Sequence, residues 1–187
     1  MSIAIAVSFV VASPLNKASH TLYRRYRKHF LRWESPLVRE MAPDTRNVRV
    51  LVLGMGNIGT GAYEAIARSF GQQVLGIDDN DRKLARHRAM HRRVAAADAS
   101  DPDFWHRVAL DEVERYMLAL TNHQENMLVA NMLERMGYRR RVAAVVRFAE
   151  EAEELEAKGI RAFNLYAQAG EGFAAHAAQG LREADAA

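Results

Sequence analysis

From Asn47 onward, short apolar runs alternate with longer stretches in which apolar residues recur every three or four positions. Runs at about 48–53, 73–78, 93–97, 115–120, 142–146 and 162–165 predict six strands. Between them, helices are expected at about 57–69, 81–90, 102–110, from a Thr121-Asn122 cap to 136, at 150–158 and near 172–181. The helix starts and stops have local causes. Asp81 is expected to cap the second helix, and Pro102 suits a first turn because its missing N–H does no harm there. Gly137 and Gly159 close the helices that precede them. The acidic, alanine-rich tail after Leu181 is expected to fray. Strands alternating with helices imply an α/β fold with a parallel sheet covered on both faces.

The first apolar run ends in Gly54-Met55-Gly56-Asn57-Ile58-Gly59, a Gly-x-Gly-x-x-Gly turn that opens the first helix. Gly54 permits the sharp turn, Gly56 lets the backbone approach a phosphate, and Gly59 lets the helix pack against the strand. Free N–H groups and the positive end of the helix dipole favour an anion there. The second strand ends in Asp78, 19 residues after Gly59, close to the spacing of a ribose-binding acid. That carboxylate favours NAD-like or AMP-like ligands over NADP, although Arg82 and Lys83 weaken the exclusion. The alternative is a glycine turn that serves packing only. The fingerprint and the right-handed crossover rule give a Rossmann-like, doubly wound, six-stranded sheet. Its ligand edge gathers Gly54, Met55, Gly56, Asn57, Ile58, Gly59, Asp78, Asp79, Asp98, Ala99, Ser100, Thr121, Asn122 and His123.

Upstream, residues 3–15 are apolar and uncharged. As a helix, thirteen residues rise about 20 Å, short of the ~30 Å hydrocarbon core. Basic residues follow the run, as at the cytoplasmic end of a membrane helix. Residues 1–15 are therefore read as the last turns of a transmembrane helix, with a buried or interfacial helix as the alternative. Residues 16–46 form a basic linker helix, and residues 47–187 the nucleotide-binding domain. The chain carries a net +3, and residues 17–40 alone carry +5, which leaves residues 41–187 at −2. Nucleic acid is thus a poor partner for the folded body. The chain has no cysteine, which excludes disulfides and thiolate chemistry.

Catalysis finds little support in these residues. A single unit of this kind offers no second domain to build a substrate pocket beside a nicotinamide. His123 is the candidate general acid at the ligand edge, whereas His87, His91 and His106 are expected on the surface. No His/Asp/Glu spacing reads as a metal site.

The glycine turn, Gly76-Ile77-Asp78 and Ala97-Asp98-Ala99-Ser100-Asp101 together resemble the RCK (TrkA-N, or KTN) domains. The pattern is most similar to the C-terminal cytosolic domain of Kef-type, glutathione-regulated potassium/proton antiporters. Residues 101–105 and 162–166 look like that subgroup too. The resemblance implies a non-catalytic regulator on the cytoplasmic face of the inner membrane. It would bind NAD(H) or AMP, dimerise through its sheet edge and nearby helices, and gate a membrane-embedded cation antiporter core. Glutathione or an adduct is a further implied ligand. By position, Gly54, Gly56, Asn57, Ile58 and Gly59 would hold the phosphates, Asp78 the ribose, and Asp98-Ala99 the adenine side. Asn57 stands where the family often has arginine, which leaves room for AMP. A small soluble NAD-dependent oxidoreductase and a peripheral subunit of a Trk-like uptake system remain as alternatives.

Overall fold

The computed structural model describes residues 43–185 except 107, 109–111, 121 and 139–140, with side chains described to residue 178. The expected membrane-helix end at 1–15, and the linker up to residue 42, lie outside the described residues.

The elements run β1 (Val50–Leu53), α1 (Asn57–Phe70), β2 (Val74–Asp78), α2 (Asp81–Ala89), β3 (Val94–Ala96), α3 (Pro102–Trp105) and β4 (Arg115–Leu118). They continue with α4 (His123–Arg135), β5 (Val142–Val146), α5 (Ala149–Glu156), β6 (Arg161–Asn164) and α6 (Leu165–Asp185). All six strands pair in parallel, in the order β3-β2-β1-β4-β5-β6. Val50 sits between Val74 of β2 and Arg115 of β4, so the strand order reverses at β1. That reversal opens a crevice beyond the carboxyl end of β1, where the glycine turn lies.

β1 reads as an unbroken apolar run because both of its faces are covered. Leu51 and Leu53 pack with Tyr116, Leu118, Phe104, Trp105, Val129, Leu133 and Leu155 on the face of α3, α4 and α5. Val50 and Val52 pack with Val74, Met55 and Tyr63 on the face of α1. Removing each such side chain from water stabilises the fold by roughly 1.5–3 kcal/mol. The β4–β6 half is less evenly covered. On the side of α1, Met117, Ala143, Val145 and Phe163 line an open apolar groove of about 500 Å3 with Ile58, Gly61, Ala62 and Leu165.

The elements fall where the sequence pattern puts them, with four differences. Asn80 rather than Asp81 caps α2, its side chain accepting the Lys83 N–H at 3.1 Å. The helix at Pro102 ends at Trp105, and β4 ends at Leu118. The last helix begins at Leu165, directly after β6, rather than near residue 172. Asn164 explains that early start, because its side-chain oxygen accepts the Ala167 N–H at 3.1 Å and caps the first turn. No helix of the described residues is long and apolar enough to cross a membrane.

Candidate functional site

The glycine turn is held by backbone contacts that admit no side chain. Gly54 has φ +91°, and a Cβ there would lie 2.5 Å from the Ala119 carbonyl oxygen. A Cβ on Gly59 would lie 1.7 Å from the Gly54 carbonyl oxygen. Both glycines are therefore demanded by packing alone. Gly56 is different. Its φ of −74° suits any residue, and a Cβ there would meet nothing within 4 Å. Neither backbone strain nor internal packing accounts for glycine at this position. The position lies open at the N-terminus of the fourteen-residue α1, where free N–H groups and the helix dipole favour an anion.

Asp78 ends β2 directly beside the turn, and its buried carboxylate is engaged from three sides. One oxygen accepts the Met55 N–H at 2.8 Å, the other accepts the Asn80 N–H at 3.0 Å, and Lys83 Nζ lies 3.3 Å from both. The residue expected to meet a ribose thus also braces the glycine turn. Met55 itself contributes backbone only. Its side chain is buried against Gly76, where a Cβ would come 2.5 Å from the sulfur.

Two clefts adjoin along Gly56, Ala119 and Leu120. The first, about 160 Å3, is lined by Gly54, Asp78, Asp79, Lys83, Asp98, Ala99, Ser100 and Glu125 among others. Carboxylates outnumber its one lysine, a setting that repels a 2′-phosphate and suits hydroxyl donors. The Asp98 carboxylate accepts the Ser100 N–H at 2.7 Å and the Ser100 hydroxyl at 2.6 Å, which shapes this loop. Ala99 is fixed from below, its carbonyl accepting the buried Trp105 indole N–H at 2.8 Å.

The second cleft, about 280 Å3, is lined by Gly56, Asn57, Ile58, His123, Asn126, Val145, Arg147, Glu151 and Leu165 among others. His123 Nε2 lies 3.0 Å from a Glu154 carboxylate oxygen of α5, so the candidate acid is already paired. Burial pushes the Glu151 carboxyl up, but the Arg147 and Phe148 N–H groups it accepts, with nearby His123 and Arg147, bring it below the usual range.

The structure thus brings Gly54, Gly56, Asn57, Ile58, Asp78, Asp79, Asp98 and Ala99 around one crevice. Gly59 serves packing. Asn122 lines neither cleft and instead caps α4, accepting the Gln124 N–H at 2.9 Å. Thr121 lies outside the described residues. Lys83, Glu125, Asn126 and Arg147 join the lining without having been singled out for it. His91 and His106 are exposed, as expected, but His87 is buried. Its ring reaches the Met55 carbonyl oxygen at 3.0 Å. Among the described residues, no group of His, Cys, Asp or Glu is placed to hold a metal.

Residues 50–164 match the family model of the TrkA-N domain. The chain belongs to the TrkA-N domain family. No curated protein matches it in sequence. Among solved structures, this TrkA-N domain is similar to the NAD(P)-binding domain of an exopolyphosphatase-related protein from Archaeoglobus fulgidus. The two share 18% identity over 71% of this chain and 98% of the other, with a TM-score of 0.63. The TrkA-N domain of the inner membrane protein ybaL from Escherichia coli shares 14% identity over 67% and 93% of the two chains, with a TM-score of 0.56. The Kef C-terminal domain of Shewanella denitrificans, solved in an AMP-bound form, shares 11% over 71% and 80%, also with a TM-score of 0.56. At these identities the likeness is one of fold.

Proposed function

We propose that this TrkA-N domain is a regulatory nucleotide sensor that gates a potassium/cation-proton antiporter without turning its ligand over. The observation that carries the reading is Gly56, a glycine that packing does not require, between two clefts at the strand-order reversal. NAD(H) or AMP is the expected ligand, with phosphate at Gly56, Asn57 and Ile58, ribose at Asp78 and adenine toward Asp98-Ala99. The similar Kef domain was solved bound to AMP, and a GsuK channel of the same fold was solved bound to NAD, which supports that ligand class.

The proposed output runs through a homodimer. The apolar groove beside Phe163 and the α6 side chains Tyr166 and Phe173, which point into solvent, are complementary in character. A second copy covering both would remove them from water. Ligand binding that favours one pose of the dimer by about 1–3 kcal/mol shifts gating 5- to 150-fold. The partner would be the antiporter's membrane core, on the cytoplasmic face of the inner membrane, with glutathione or an adduct as a second signal.

Calorimetric titration of the full chain with AMP, NAD and NADH tests the reading, beside Gly56→Ala as control. Micromolar binding that is lost in the control supports it. Absence of binding to all three in the wild type overturns it.

A further inference from the structure

We infer that His87, on α2, is a positioning residue that aims the Gly56 N–H at the ligand phosphate, and that it does so as the neutral Nε2–H tautomer. The inference rests on the nucleotide reading above and adds to it a residue outside the glycine turn.

The tautomer follows from the two partners of the ring. The Met55 carbonyl oxygen, 3.0 Å from Nε2, can only accept, so Nε2 donates. The Arg92 guanidinium, 2.9 Å from Nδ1, can only donate, so Nδ1 accepts. The ring is buried between them. Arg92 is held in turn by a hydrogen bond to Glu64 of α1, and its own backbone N–H donates to the His87 carbonyl at 3.0 Å. A single ring therefore joins α1, α2 and the segment entering β3 to the glycine turn.

The effect on the site follows from the peptide plane. The Met55 carbonyl and the Gly56 N–H belong to one rigid trans peptide and point in opposite directions. Fixing the carbonyl toward α2 fixes the N–H away from it. Met55 is gripped at its other end as well, because its own N–H donates to Asp78 at 2.8 Å, and the Thr60 hydroxyl reaches its carbonyl at 3.3 Å. His87 and Asp78 thus hold opposite ends of the residue that precedes Gly56.

The test uses the full chain as wild type, His87→Gln and His87→Leu, with NAD as the probe. His87→Gln keeps one donor and one acceptor and should bind close to wild type. His87→Leu should bind about tenfold more weakly, the loss of one well-placed hydrogen bond. Nitrogen NMR of the wild-type ring and of the Gly56 amide needs no ligand. The ring should show the Nε2–H tautomer, and the Gly56 amide should shift more in His87→Leu than in His87→Gln. An Nδ1–H ring, a Gly56 amide unmoved by His87→Leu, or His87→Leu binding NAD like the wild type overturns the inference. If the wild type binds no NAD, the nucleotide reading fails on its own, and the Gly56 amide still decides whether His87 sets the turn.

Discussion

A methyl group on Gly59 would sit 1.7 Å from the carbonyl oxygen of Gly54, so α1 packs on the turn after β1 with no room for a side chain. Gly59→Ala must push the helix off the strand. The expected loss is roughly 3 kcal/mol, the upper end of ordinary overpacking. Gly56→Ala meets nothing within 4 Å and should change stability by less than about 0.5 kcal/mol. Urea denaturation of both variants, with nucleotide titration of the second, separates the packing glycine from the one proposed to meet the ligand. A Gly56→Ala protein that binds nucleotide unchanged would sink the phosphate assignment.

Asp78→Asn should cost about 1–3 kcal/mol even without nucleotide. Both carboxylate oxygens accept backbone N–H groups, from Met55 and Asn80, so an amide must turn its NH2 against one of these donors. The loss should show as a lower urea midpoint with an unchanged slope. Weakened nucleotide binding in this variant would mix a disturbed turn with loss of the proposed ribose contact, which makes Gly56→Ala the cleaner control.

The doubly wound sheet was legible in the sequence because six apolar runs alternate with helical periodicity and one of them ends in a recognisable turn. Asp78 stood out by its spacing from Gly59. Its bracing of Met55 did not, since a hydrogen bond from a backbone N–H to a carboxylate 23 residues away leaves no pattern in the chain. His87 was misread as a surface residue because α2 is strongly polar and sets apolar bulk against the sheet only at Leu84. The available signal was the i, i+3 spacing of Leu84 and His87, which puts both on the inward face. The early start of α6 was hidden by Gly170 and Gly172, each a poor helix former by about 1 kcal/mol, which masked the Asn164 cap.

Trp105→Phe should destabilise the fold by about 1–3 kcal/mol by leaving the Ala99 carbonyl without its indole donor. The change should be felt in the loop of Asp98 and Ser100, which lines the first cleft. Amide hydrogen exchange over residues 97–101 should speed up in the variant. Unchanged exchange there would mean that the loop does not depend on this anchor.

Asp44 supplies a titration marker far from the clefts. The Arg46 side chain hydrogen-bonds its carboxylate, and the Arg46 backbone N–H adds to this, lowering the carboxyl from 3.8 to about 2. Because the folded value is the lower one, the pair stabilises the fold above the usual value, and that contribution is lost as pH falls toward about 2. Carbon NMR of the Asp44 carboxyl should show the depressed midpoint, and molar salt should bring it back toward normal, since the pair is exposed.

Phe173→Glu should leave the monomer fold intact, because the side chain is 74% exposed, and should abolish the dimerisation proposed above. Sedimentation equilibrium of the full chain reads this directly. A variant that still dimerises would place the interface elsewhere.

β6 ends at Asn164 and α6 begins at Leu165, so strand and helix meet at a single peptide with no intervening loop. Such a joint has no slack. A helix of twenty-one residues extends about 30 Å, so a small tilt at the sheet becomes a displacement several times larger at the far end. α6 is thus rooted directly in the sheet edge through the Asn164 cap, so any tilt of β6 passes undamped into the helix.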